Sequence, residues 1–78
     1  MPEEWEVRFN ASLIARAHIA AAEVKEADPK AQARADFYPA LLDLGLYCPE
    51  CWVRFDQTAR LHRARWIMTC DQHDYHFP

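Results

Sequence analysis

Between residues 13 and 24, apolar Leu13, Ile14, Ala17, Ala20, Ala21 and Val24 recur at helical spacing. Steps of three and four line one face of a helix and turn Arg16, Glu23 and Lys25 towards solvent. Just upstream the pattern changes. Residues 4–9, Glu-Trp-Glu-Val-Arg-Phe, alternate charged with apolar. That period of two predicts a short strand with Trp5, Val7 and Phe9 on one face. Asn10 or Ser12 then offers an N-cap for the helix that follows. Asp28-Pro29 predicts the end of that helix and the start of the next, since proline suits a first helical position. The second helical pattern runs from Pro29 to Leu44, interrupted by Pro39, which lacks a backbone donor and crowds the preceding turn. A short helix to about Asp36, then a turn or two from Pro39, is the expectation. Gly45, the only glycine, follows Leu41-Leu42-Asp43-Leu44 and predicts a left-handed C-cap.

Beyond Gly45 the pattern is different. Trp52-Val53-Arg54-Phe55 is rich in strand-forming residues, Asp56-Gln57-Thr58 reads as a turn, and Arg63 to Thr69 contains a second such run. The two runs are expected to pair as a hairpin with cysteine-bearing turns at its base. Residues 58–65 are open to a helical turn instead, because Thr58-Ala59-Arg60-Leu61 has no strand bias. The fold class expected is α+β. It is one small domain, 1–78, with a mainly helical part at 1–45 packed on a metal-stapled β-hairpin at 46–78.

Size and cysteine usage make the staple important. A chain of 78 residues buries only ~60% of its unfolded surface, and domains of this size often add a disulfide, a metal or a partner. Three cysteines cannot all pair in disulfides. The acidic start Met1-Pro2-Glu3-Glu4-Trp5 lacks the basic and apolar regions of a signal peptide, and no apolar run approaches the ~20 residues of a membrane span. A cytoplasmic, reducing location is therefore expected, with no membrane partner, and there clustered cysteines favour metal.

The cysteines are spaced for that role. Cys48-x2-Cys51 is followed, after eighteen residues, by Cys70-x2-His73. Two residues separated by two others reach one tetrahedral ion from a single tight turn, and a second pair closes the tetrahedron. Zn2+, one per chain, is the expected cofactor, with Cys48, Cys51, Cys70 and His73 as ligands. His76 is the alternative fourth ligand. His62 and His18 are expected in ordinary surface or packing roles. On these four ligands the segment from Tyr47 to Phe77 resembles a zinc ribbon or a related zinc finger, with Cys-Pro-Glu-Cys and Cys-Asp-Gln-His as its knuckles. It departs from common ribbons in having no glycine after Cys51 or Cys70 and a histidine as fourth ligand. Four filled positions leave none for a reacting water, which makes the expected zinc structural. Iron in a rubredoxin-like site prefers four thiolates.

Charge and aromatic content bear on partners. Residues 1–47 carry five basic and eight acidic side chains, whereas residues 48–78 are balanced at four and four. The total of −3 lacks the basic excess usual in nucleic-acid binders. Arg60, Arg63 and Arg65 nevertheless cluster with His62 and Trp66, a combination suited either to phosphate and base contact or to a solvated strand face. Trp5, Trp52 and Trp66 are a large aromatic load, with at least two expected in the core. Glu3, Glu4 and Glu6 stand with no base or nucleophile at useful spacing, and one glycine precludes a phosphate loop. A non-enzymatic adaptor or inhibitor that binds another protein is the leading expectation. One form of it is a phage or mobile-element regulator that occupies the basic surface of a host nucleic-acid machine. The alternative is a nucleic-acid-binding zinc ribbon, or transcription regulator, that also uses Arg54. A zinc hydrolase or deaminase fragment is disfavoured, because no glutamate accompanies a ligand histidine in the required pattern.

Overall fold

The computed structural model describes residues 4–64, 67–72 and 75–77. Three helices precede a small sheet: α1 (Glu4–Val24), α2 (Ala31–Leu44), α3 (Pro49–Phe55), β1 (Leu61–Ala64), β2 (Ile67–Cys70) and β3 (His76–Phe77). The strands form one antiparallel sheet in the order β1-β2-β3. The class is α+β, as expected, and the three helices pack together beside the sheet. The radius of gyration, 11.9 Å, is close to the ~11.5 Å of a compact domain of this length.

α1 begins at Glu4, so the strand expected over residues 4–9 is helix instead. Phe9 is partly buried and stands four residues before buried Leu13, which extends the apolar stripe through Ala17, Ala20, Ala21 and Val24. A strand here would have needed a neighbour for its backbone groups, and every strand of the sheet lies beyond residue 60. Asn10 and Ser12 accordingly sit inside the helix, at a propensity cost of roughly 0.5 kcal/mol each. The chain leaves α1 through hydrogen bonds from the N–H groups of Ala27 and Asp28 to the Val24 carbonyl. Asp28 Oδ1 then accepts from the Lys30 N–H at 3.1 Å. The two helices do separate around Asp28-Pro29, but α1 already ends at Val24 and α2 starts only at Ala31. Lys30 and not Asp28 is the N-cap of α2, so Pro29 lies in the connecting turn and is not the first helical residue.

α2 continues through Pro39 rather than stopping near Asp36. Pro39 is on the exposed side of the helix, where its ring meets solvent, while Tyr38 and Leu41 on either side are buried. Burying those two side chains outweighs one missing backbone bond. Ala17, Ala20 and Ala21 of α1 and Ala31 and Ala35 of α2 are all fully buried, and α1 packs against both α2 and α3.

Gly45 is the C-cap of α2, but with φ 165 and ψ 172 it is extended, not left-handed. Its small size is used for proximity: a Cβ there would meet Tyr47 Cε2 at 3.1 Å. The left-handed residue is Asp56, φ 54, at the end of α3.

The largest difference from the expectation lies at residues 52–55, which form the end of helix α3 and not a strand. The local signals for helix were present. Pro49 opens the first turn, Glu50 follows it, and Glu50 pairs with Arg54 at i,i+4. The hairpin is consequently built from β1 and β2, in the register Leu61↔Cys70 to Ala64↔Ile67. Residues 61–64 are strand, not the helical turn left open above. Trp52 is partly buried against the core, whereas Trp66, Arg65 and the side chain of Trp5 lie outside the described residues. No helix among the described residues is long and apolar enough to cross a membrane.

Candidate metal centre

Cys48, Cys51 and Cys70 come together from two elements. Cys48 is the extended residue before α3, and its carbonyl accepts the first helical bond, from the Trp52 N–H at 3.1 Å. Cys51 therefore projects from the first turn of a helix that Pro49 starts. The segment carrying Cys48 is tied to the hairpin. The Cys48 N–H donates to Ala59 O at 2.7 Å, and the Leu61 N–H donates to Leu46 O at 3.0 Å. Since Leu61 pairs with Cys70, this places the start of α3 beside the end of β2.

The three sulfurs lie within 4.8 Å of one another, with Cys51 and Cys70 3.2 Å apart. A disulfide needs about 2.05 Å, and none of the three cysteines is in one. Cys48 and Cys51 are fully buried and Cys70 is partly so. Burial pushes the Cys48 thiol up to about 11, against a hydrogen bond from the Cys51 backbone N–H that favours the thiolate. Cys51 is raised too, first by burial and then by Cys70 and Cys48. Without a cation, burial favours the neutral thiol at Cys48 and Cys51. A bound ion reverses that balance, because its charge is what stabilises thiolates in a buried site. The cluster is a group of donors that can bind metal.

No other histidine, cysteine or carboxylate among the described residues joins the three sulfurs. His73 lies outside the described residues. Cys70 and Tyr75, which flank that stretch, are joined by a hydrogen bond from the Cys70 N–H to Tyr75 O at 3.0 Å. His76 is exposed on β3, paired in register with Thr69. His62 faces solvent with Nε2 3.2 Å from Asp71 Oδ1, and His18 is exposed beside Gln32. Of the expected contact residues, Arg60 lies over the Tyr47 ring at 5.4 Å and Arg63 is exposed on β1.

Around the cluster stands an ionic framework that sequence reasoning missed. Glu50, between the two cysteines of the first pair, is only 5% exposed. It accepts from Arg54 Nε and lies 3.7 Å from Arg16 Nε of α1. Arg54 also donates to Glu23 at 3.0 Å, and its guanidinium is held more firmly protonated, chiefly by Glu50. Arg16 in turn lies 5.9 Å from the centre of the Phe77 ring on β3. The i,i+4 spacing of Glu50 and Arg54 was the one signal available beforehand.

A second missed device holds the far end of α3. Arg34 of α2 donates through Nε to the carbonyls of Trp52 (3.0 Å) and Val53 (3.1 Å), and through Nη2 to Val53 at 2.6 Å. These are carbonyls of the last turn, which lack helical donors. Arg34 also pairs with Asp28, whose carboxyl it holds below the usual range. The Trp52 indole returns a bond to the Arg34 carbonyl at 2.7 Å. α3 is thus anchored at its start by the cysteines and at its end by α2.

No family model, no curated protein and no solved structure matches this chain. The fold and the site together define a small α+β domain with a three-cysteine cluster that can bind metal.

Proposed function

We propose that the chain is a non-enzymatic, zinc-stapled adaptor or inhibitor that acts by binding another protein in a reducing, cytoplasmic setting. The observation that carries the staple is the convergence of Cys48, Cys51 and Cys70 within 4.8 Å from both sides of the α3–hairpin junction. Tetrahedral zinc with Zn–S of about 2.3 Å holds its sulfurs about 3.8 Å apart, which lies between the 3.2 Å closest pair and the 4.8 Å limit here. Three thiolates suit zinc, and His73, three residues after Cys70, is the fourth ligand in this reading, with His76 its substitute. Zinc supplies a cross-link and the positive charge that stabilises the thiolates. A filled tetrahedron offers no position for a substrate.

Protein rather than nucleic acid is the partner favoured by charge and surface. The chain carries −3 overall, Arg60 is already stacked on Tyr47, and His62 stands beside Asp71. Large apolar side chains are exposed, among them Phe37, Leu44 and Phe55. An acidic domain of this size fits an inhibitor that occupies the basic surface of a nucleic-acid machine, the strategy of a phage or mobile-element product.

Metal analysis of the purified chain and of Cys48→Ser tests the staple. One zinc per chain, lost in the variant together with cooperative melting, is the expected result. Chelator-indifferent folding with no metal overturns it. Titration with labelled duplex and single strand at low salt tests the adaptor reading, with binding weaker than about 10⁻⁴ M expected. Tighter, salt-sensitive binding that Arg60→Ala and Arg63→Ala reduce establishes the nucleic-acid alternative instead.

A further inference from the structure

The outer face of α2 carries apolar groups where a solvent-facing helix normally carries polar ones. Ala33, Phe37, Ala40 and Leu44 are all exposed, Phe37 at 51% and Leu44 at 73%. At 100° per residue these four positions fall within about 60° of arc, so they form a straight ridge about 16 Å long. Its two borders differ. On the α3 side the Phe37 ring stands 6.0 Å from that of Trp52, and Phe55, three residues further along α3, is also exposed. On the other side run Asp36 and Asp43, exposed and seven residues apart, which places them in a row parallel to the ridge. Asp36 is further located by a bond from Gln32 Nε2 at 3.1 Å. α2 carries one cation, Arg34, and its side chain is turned into the α3 terminus and Asp28. Asp56 adds a further exposed acid beside Phe55.

We infer that this ridge is a docking surface for an amphipathic helix of another protein, one whose apolar stripe is flanked by lysine or arginine. Apolar anchors spaced along a helix in register with Phe37, Ala40 and Leu44 bury the ridge, and the flanking cations answer Asp36 and Asp43. A second copy of the chain fits worse. Placed ridge to ridge it brings its own aspartate row, and the face offers no exposed cation among the described residues of α2. The inference rests on the protein-binding half of the reading above and is independent of the metal.

The test is a displayed library of helices about 18 residues long, with leucines at helical spacing and the flanking positions randomised between lysine and glutamate. It is panned on the full chain as purified, on Phe37→Asp,Leu44→Asp, and on Asp36→Lys,Asp43→Lys. All four side chains are exposed, so unchanged melting midpoints verify that the variants fold. On the unaltered chain, lysine is expected to be enriched over glutamate about tenfold at the flanks. The selected peptides should lose at least about tenfold in affinity on the first variant, and the second should enrich glutamate instead. Equal recovery of lysine and glutamate overturns the inference, as does equal binding to the Phe37→Asp,Leu44→Asp protein. So does a chain that sediments as a dimer which that variant dissociates. Capture of a protein partner from nuclease-treated lysate separates the two readings. If the peptides fail and a captured partner ignores both variants, the ridge falls and the adaptor stands. If nothing is captured either, both fall.

Discussion

α1 and α2 pack together, bury five alanines between them and the rest of the core, and are long enough to satisfy most of their backbone groups locally. Where α3 meets the sheet, the elements are seven, four, four and two residues long. Neither a helix nor a hairpin of such length persists alone in water. The first region is held by close fit between small side chains. The second is held by a few specific groups: three thiols that bring α3 to the end of β2, and the Glu50–Arg54–Glu23 set and the Arg34 fork that tie α3 back to α1 and α2. The difference teaches that the two regions should fail in different ways. Adding volume should damage the first, and removing a single polar or metal-binding group should damage the second.

The strongest way to separate them is to disable the cysteine cluster and, with it, the proposed metal. Cys51→Ser, or chelation of the unaltered chain, is expected to lower stability by several kcal/mol, since zinc binding in small domains is largely folding energy. Near-ultraviolet dichroism from the aromatic groups around α3 should collapse while much of the far-ultraviolet helical signal from α1 and α2 remains. Simultaneous loss of both signals would show that the helical pair has no independence and would erase the contrast.

Ala35→Leu reverses the experiment. Extra methylenes at this fully buried α2 position should cost up to about 3 kcal/mol in chemical denaturation without changing the metal content of the purified chain. Arg34→Met comes next. It strips the donors from the Trp52 and Val53 carbonyls and should cost about 2 kcal/mol, read by the same denaturation curve. Tyr38→Phe removes the hydroxyl that donates to Tyr47 O at 2.6 Å. About 1 kcal/mol is expected, because that buried carbonyl then lacks its donor.

The smallest effect concerns pH. Arg34 lowers the Asp28 carboxyl below its ordinary value of 3.8. A depressed acid contributes stability above its unfolded pKa and loses it as pH falls through the folded one. The unaltered chain should therefore lose a little stability below about pH 4 that Asp28→Asn does not lose, as acid-dependent melts of the two would reveal. Parallel curves would mean that the Asp28–Arg34 contact contributes nothing at this surface position.

How much of this was legible beforehand depends on the range of the interaction. The Leu13–Val24 stripe and the x2 spacing of Cys48 and Cys51 each act within one or two turns, and each reads correctly from neighbouring residues. Asp28-Pro29 marked the gap between two helices but not the residues at which they end and begin. Residues 4–9 and 52–55 misled because six or four residues are too few to separate a period of two from one of 3.6. For Trp52-Val53-Arg54-Phe55, strand propensity lost to the start signal of Pro49 and to the carbonyl cap supplied by Arg34, eighteen residues away in sequence. Pro39 misled for a similar reason: its local penalty was visible, but the burial of Tyr38 and Leu41 that overrides it was not.

By itself the sequence determined the α+β class, the helical first half and the set of cysteines able to share one ion. Those follow from periodicity and spacing, which the chain carries with it wherever it folds. Only the tertiary structure decided that the first cysteine pair sits on a helix, that Glu50 is buried among arginines, and that Phe37 and Leu44 remain outside. Each depends on which surfaces meet. A side chain's burial and charge state are properties of the neighbours that packing brings to it, and most of those neighbours are distant in sequence.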